Sequence, residues 1–143
     1  MTREKIYEEM TQTLGQVPGF FKSIPEASLE GEWALFKRFE LEPSAIEPKT
    51  RELIGVAVAA AQHCWYCAHF HSGLAQFHGA TEAEIQEAVH FAKHSTGWST
   101  YLNGIVYDHD LFLKELNEIG SYLQNSRQPE MSDAQTQQAS PRA

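Results

Sequence analysis

Residues 52–71 read ELIGVAVAAAQHCWYCAHFH and contain both cysteines of this 143-residue chain. Cys64 and Cys67 form a C-x-x-C pair, and His71 stands four residues after the second cysteine. An α-helix turns by about 100° per residue, so offsets of three and four residues return to the same face. If this segment is helical, the two sulfurs and the imidazole form one cluster, and we expect the rest of the chain to support it.

Glu52 is the acidic residue of the same stretch and precedes Cys64 by twelve residues. Along a continuous helix this offset is about 18 Å at 1.5 Å per residue, so Glu52 reaches the cluster only if the chain reverses near Gln62 and His63. Neither glycine nor proline marks a turn there. The alternative is a solvent-facing acid in the first turn of a helix, where the helix dipole stabilises a negative charge.

The charge and the distribution of apolar residues argue against several function classes. The formal net charge is −8, and Lys and Arg form no dense cluster, which argues against nucleic acid or an anionic membrane as the partner. The first ten residues have scattered charges and lack the apolar core of a secretory signal. The longest apolar run, Leu53 to Ala61, is about half of what a membrane span needs. We therefore expect a soluble, cytoplasmic protein.

No segment alternates apolar and polar residues between hairpin turns, so the sequence predicts an all-α fold of six or seven helices. We expect a single helical domain over residues 1–123 and a disordered polar tail over residues 124–143. The run Leu53 to Ala61 is apolar on nearly every side, which predicts a buried central helix. Thr81 and Glu84 form a T-x-x-E capping box for a later helix.

A C-x-x-C pair in a reducing compartment indicates thiol redox chemistry or metal binding. For redox chemistry, a cysteine reacts as the thiolate, and His71 can take the proton of Cys67 from one helical turn away. Glu52 would orient and polarise that imidazole. For metal binding, the thiolates of Cys64 and Cys67 plus His71 or Glu52 would give zinc a tetrahedral shell. Because the chain has no second C-x-x-C, we favour redox chemistry and expect neither a metal nor a cofactor.

The pattern E-x11-C-x-x-C-x3-H, formed by Glu52, Cys64, Cys67 and His71, resembles the signature of the alkylhydroperoxidase D-like branch of the carboxymuconolactone decarboxylase family. The resemblance implies an all-helical bundle that assembles as trimers or hexamers, with the cysteine pair at the start of one helix and the glutamate on its neighbour. Three other segments are similar as well: VPGFFKSIP (residues 17–25), LEPSAIEPKTRELIGVAVAAAQHCWYC (residues 41–67) and GATEAEI (residues 79–85).

The resemblance also implies an activity, the thiol-dependent reduction of hydroperoxides. In that family Cys67 would react with the peroxide, Cys64 would close the disulfide, and His71 supported by Glu52 would relay protons. The best-known members have a histidine directly before the second cysteine, where this chain has Tyr66. A tyrosine can donate and accept a hydrogen bond but is a poor base near neutrality. A dithiol or a lipoyl-type protein would serve as the reductant.

Two other functions stay open as alternatives. The chain could be a zinc-binding or structural helical oligomer whose cysteines never turn over. It could also be a lactone decarboxylase-like enzyme that uses His71 and Glu52 without the thiols, although family members with that activity lack the cysteine pair.

A homo-oligomer is also expected from the apolar residues alone. The central helix is apolar nearly all round. The helical pattern also places several large side chains on the inner faces of the other helices, and the core of a six-helix protein is small for them. An isolated chain would then expose a larger apolar patch than soluble monomers usually tolerate. These large side chains are Trp33, Phe36 and Phe39, in a helix predicted over residues 26–40, and Trp98 and Tyr101.

Overall fold

The structure, a computed structural model, describes the backbone of residues 1–138 and the side chains of residues 1–126. These residues form seven α-helices and one π-helix and contain no β-strand, so the predicted all-α fold is confirmed. No helix among them is both long and apolar enough to cross a membrane. The α-helices are α1 (Arg3–Leu14), α2 (Gly19–Lys22), α3 (Glu26–Phe36), α4 (Pro48–Ala61), α5 (Trp65–Phe77), α6 (Glu82–Gly104) and α7 (His109–Gln138), and the π-helix covers Lys37–Leu41.

Two compact units make up the chain, one of residues 1–93 and a second that begins at His94. Helix α6 starts in the first unit and ends in the second. The boundary predicted after residue 123 falls within α7, whose backbone is helical as far as Gln138. Residues 139–143 lie outside the described residues, and the disordered tail stays a prediction.

The first unit has an aromatic core between α1, α2 and α3. The ring of Phe21 meets the rings of Trp33 and Phe36 edge-on, with centroids 5.8 and 5.5 Å apart, and Trp33 stacks on Phe36 at 5.7 Å. Ile6 and Met10, one turn apart on α1, are buried in the same cluster. Edge-on and offset contacts are the arrangements that aromatic rings prefer. This core fixes the end of α3, where the π-helix begins.

A second core in the same unit joins α4, α5 and the start of α6 through mostly small side chains. Val56 of α4 and Ala75 of α5 are buried together with Ala80 in the following turn and Ile85 of α6. Small side chains at a helix contact allow the two backbones to approach closely, because interaxial distance depends on side-chain size. Helices α4 and α5 therefore pack as a close pair.

The outer face of α4 is open to solvent in the single chain. Ile54 and Val58 are about half exposed, and with Phe91 of α6 they line an apolar groove of about 420 Å³. The prediction of a buried central helix is therefore wrong for this face, because the neighbouring helices of the first unit cover only the other side of α4. Three residues assigned to the core are also more than half exposed: Phe39, Trp98 and Tyr101.

The predicted capping box at the start of α6 is confirmed. The backbone N–H of Thr81 donates to the Glu84 carboxylate at 2.7 Å, and the backbone N–H of Glu84 donates to the Thr81 hydroxyl at 3.2 Å. Lys49 of α4 donates to the other Glu84 oxygen at 2.8 Å. The hydrogen bond from Lys49 and those from Thr81 lower the pKa of Glu84 to about 2. One carboxylate thus caps α6 and connects it to α4.

We expect Glu84→Gln to destabilise the protein at pH 7, and the difference from wild type to shrink as the pH falls. The carboxyl of Glu84 has a pKa of about 2 when folded and 4.5 ordinarily, so its stabilisation is fully present above the ordinary pKa and is lost as the pH falls through the folded value. Urea unfolding between pH 7 and pH 2 measures this. The exposed Glu87→Gln is the control and should have little effect. A loss that does not depend on pH would contradict the charge explanation.

Candidate functional site

The chain reverses between α4 and α5 through a left-handed residue, His63, with φ of 57°. The backbone N–H of His63 donates to the carbonyl of Ala60 at 3.2 Å, and that of Cys64 donates to Ala59 at 2.9 Å. These paired bonds are a common helix C-terminal cap in which glycine usually takes the left-handed position. The reversal predicted near Gln62 and His63 is confirmed. Histidine is enriched among the non-glycine residues with this conformation, which is the signal that the sequence offered.

The two cysteines lie where α5 begins and are joined by a disulfide. Cys64 is the N-cap residue of α5, and its sulfur accepts a hydrogen bond from the backbone N–H of Cys67 at 3.2 Å. Both residues are partly buried. The first turn of a helix has unpaired N–H groups and the positive end of the helix dipole, which favour a thiolate once the disulfide is reduced.

Glu52 and His71 meet between the two helices. The Nδ1 atom of His71 lies 2.8 Å from the Oε2 atom of Glu52. Glu52 has no exposed surface, whereas the side chain of His71 is 23% exposed. The solvent-facing alternative for Glu52 is therefore wrong. With Nδ1 as the donor, a neutral His71 keeps Nε2 as its acceptor, and His71 follows Cys67 by one turn of α5.

Gly55 gives the His71 ring its place against α4. A Cβ atom at this position would lie 2.5 Å from both Cγ and Nδ1 of His71, far inside van der Waals contact. Gly55 stands one turn after Glu52 on the same helix. The missing side chain therefore allows the ring to reach the carboxylate, and nothing in the sequence pattern indicated this role.

The π-helix brings a second acid, Glu40, to this pair. It ends with a hydrogen bond from the backbone N–H of Glu42 to the carbonyl of Lys37 at 2.9 Å, five residues back along the chain. One oxygen of Glu40, one of Glu52 and a ring nitrogen of His71 all lie within 4.8 Å of one another. The sequence predicted an ordinary helix over residues 26–40, and nothing in its pattern indicated a role for Glu40. π-Helical turns occur frequently at functional sites.

Arg51 connects the end of the π-helix to α4. Its Nη2 atom donates to the backbone carbonyl of Glu40 at 3.0 Å, and Nη1 donates to that of Glu42 at 3.3 Å. Its Nε atom lies 3.5 Å from Oε1 of Glu52 without forming a hydrogen bond.

Burial raises the pKa of the Glu40 carboxyl, and the negative charge of Glu52 raises it further, against the opposing charges of His71 and Arg51.

Tyr66 lies at the surface beside the disulfide. It is 81% exposed, and its ring meets the ring of Trp65, which is 70% exposed, edge-on at 5.7 Å. Within residues 1–126 the structure gives no hydrogen bond between Tyr66 and the Glu52–His71 pair. The predicted site residues thus separate into the hydrogen-bonded pair of buried Glu52 and partly buried His71, a partly buried disulfide and an exposed tyrosine.

Comparisons with known proteins agree with the all-helical fold. The model of the carboxymuconolactone decarboxylase family matches residues 26–105, more than half of the chain. Among solved structures, the alkylhydroperoxidase AhpD core from Rhodospirillum rubrum is similar, with a TM-score of 0.66 and 25% sequence identity over 77% of this chain and 85% of that one. No curated protein matches the sequence.

We expect Gly55→Ala to destabilise the protein by about 1–3 kcal/mol, the usual cost of overpacking a filled interior. The new methyl group would force the His71 ring away from Glu52, because helix backbone moves less readily than a side chain. Thermal and urea unfolding measure the change. Gly73→Ala on α5 is the matched control: its Cβ would meet nothing within 4 Å, so it should stabilise the helix by about 0.5–1 kcal/mol. Equal effects of the two substitutions would contradict the packing role of Gly55.

Proposed function

This chain belongs to the carboxymuconolactone decarboxylase family, and from that premise we propose that it is a thiol-dependent peroxidase of the alkylhydroperoxidase D type. It reduces hydroperoxides through a dithiol/disulfide cycle of Cys64 and Cys67. The observation that carries this proposal is the Glu52–His71 hydrogen bond, with His71 on the same helix as the cysteine pair. A base paired with a buried carboxylate, one turn from a cysteine, is suited to activating a thiol.

In the proposed first step Cys67 loses its proton to His71. The Nδ1 atom of His71 is occupied by Glu52, so Nε2 receives the proton directly or through a water. The Glu52 carboxylate then stabilises the imidazolium, as the third member of a nucleophile, base and orienter series. The start of α5 favours the thiolate that remains on Cys67.

The redox steps balance with two thiols for each hydroperoxide. The Cys67 thiolate attacks the terminal oxygen of ROOH, the O–O bond breaks, and a sulfenic acid forms on Cys67. The leaving alkoxide takes a proton from His71 and departs as the alcohol. Cys64 then attacks the sulfenic sulfur, water leaves, and the disulfide forms. The Cys64–Cys67 disulfide of the structure corresponds to the oxidised end of this cycle.

A dithiol or lipoyl-type protein would reduce the disulfide and complete the cycle. Support comes from the exposed surface around the cysteines, where Trp65 and Tyr66 stand open to solvent. Tyr66 is proposed as a hydrogen-bonding group at this surface, since its phenol is a poor base near neutrality. Proton transfer is assigned to His71 alone.

The proposed enzyme is a homo-oligomer, a trimer or a hexamer. Its support is the apolar groove between α4 and α6, where the half-exposed Ile54 and Val58 and the exposed Phe91 lie together. A contiguous exposed apolar surface of this kind is more often an interaction site than part of an ordinary monomer surface.

The first test is hydroperoxide consumption with a dithiol reductant. We expect Cys67→Ser to fall to background, because it removes the attacking thiolate. Cys64→Ser should lose multiple turnover yet consume one equivalent of hydroperoxide, because Cys67 can still form the sulfenic acid. Full activity in Cys67→Ser would show that the attacking thiol is wrongly assigned. Lactone decarboxylation that survives replacement of both cysteines would favour that alternative.

The second test follows the pH dependence of Cys67 alkylation in a Cys64→Ser background. We expect Glu52→Gln and His71→Ala each to move the midpoint upward by about one pH unit, because each removes a group that favours the thiolate. Together they should move it little further, since residues that act as a unit are not additive. Glu87→Gln is the control and should leave the midpoint unchanged. Shifts that add in the double variant would mean that Glu52 does not act through His71.

A further inference from the structure

Beyond the peroxidase cycle, we propose that Glu40, Glu52 and His71 bind a divalent transition-metal ion. The three potential ligand atoms, one from each residue, all lie within 4.8 Å of one another. In a tetrahedral zinc shell with bonds of about 2.0–2.2 Å, the ligand atoms are about 3.3–3.6 Å apart. A side-chain movement of about 1 Å closes the shell, and the partly exposed Glu40 can make it.

An independent observation points to a cation at this position. Glu52 is completely buried, and its Oε1 atom has no hydrogen-bond partner among the described residues, because His71 occupies Oε2. Arg51 is the neighbouring cation, and its Nε atom forms an ion pair with Oε1 at 3.5 Å that is too long for a hydrogen bond. Its other nitrogens donate to two backbone carbonyls and to the Ser44 hydroxyl. A buried carboxylate oxygen without a donor is costly. A metal ion at Oε1 removes that cost.

The donor set determines which ion fits. Two carboxylate oxygens and one imidazole nitrogen suit Zn²⁺, Mn²⁺ or Fe²⁺, whereas Ca²⁺ and Mg²⁺ prefer shells of oxygen alone. The ligands come from three elements, the π-helix, α4 and α5, so packing positions them before an ion arrives. The carboxylates of Glu40 and Glu52 lie close together, and a divalent ion between them relieves their mutual repulsion.

This site differs from a zinc site on the cysteine thiolates. Both sulfurs are used in the disulfide, and the cluster of potential ligands contains neither of them. The proposed ion therefore binds in the oxidised protein and in protein without thiols. When bound, it takes the groups that the proposed proton relay needs, so peroxidase activity is inhibited by the same ion. That consequence alone rests on the proposed function.

The test uses the full chain with Cys64→Ser and Cys67→Ser, which has no thiol chemistry. Calorimetric titration with Zn²⁺ alone and with Mn²⁺ alone should give one ion per chain. Glu40→Gln in this background should weaken binding about tenfold or more, since even groups outside the metal shell contribute that much. Glu42→Gln is the matched control: it makes the same charge change at an exposed neighbour and should bind as the parent does.

The outcomes separate the two proposals. Equal binding by the Glu40→Gln and Glu42→Gln variants would overturn the site, as would the absence of one-to-one binding of either ion. Circular dichroism confirms that each variant is folded, and His71→Ala provides a second variant that should also lose binding. Because the protein titrated has no cysteines, failure of the peroxidase assays leaves the result intact, and failure of metal binding leaves the peroxidase proposal intact.

Discussion

The contact between the buried Glu52 and the partly buried His71 is the constraint on which the arrangement of the first unit depends. A carboxylate with no exposed surface needs a partner, because an unpaired buried charge costs on the order of several kcal/mol. Glu52 has that partner nineteen residues further along the chain, so α4 and α5 must lie side by side in one register. Gly55 leaves space for the ring, and His63 turns the chain back. The missing side chain of Gly55 and the left-handed backbone of His63 therefore both allow the contact between Glu52 and His71.

The π-helix places a second acid beside this contact, where electrostatics alone would not favour one. Burial raises the pKa of the Glu40 carboxyl, and the negative charge of Glu52 nearby raises it further. Arg51 holds the end of the π-helix by bonds to backbone carbonyls rather than to either carboxylate. π-Helical turns are rare in proteins and occur frequently at functional sites. A role in function therefore explains this turn better than a contribution to stability does. The local backbone distortion and the local charge repulsion coincide at the same few residues.

The sequence indicated the elements of this site better than it indicated their surroundings. Helical spacing located α4 and α5, and the offset between Glu52 and Cys64 required a reversal, because a straight helix would separate them by about 18 Å. Glu40 was missed, since hydrogen bonding five residues back depends on packing at the end of α3 and not on a local pattern. The exposure of Ile54 and Val58 was missed for another reason. Hydrophobicity shows that a side chain needs cover, but it does not tell which surface provides it.

The short connection between α4 and α5 also affects how this region folds. Residues 48–77 form two helices, α4 and α5. The connection between them is only Gln62, His63 and Cys64, the N-cap residue of α5. Closing so short a loop costs little chain entropy, because that cost grows only with the logarithm of loop length. Pairs of helices with such local contacts are among the fastest structures to form. Glu52, the cysteine pair and His71 therefore come together within one hairpin, before contacts between distant parts of the chain are required.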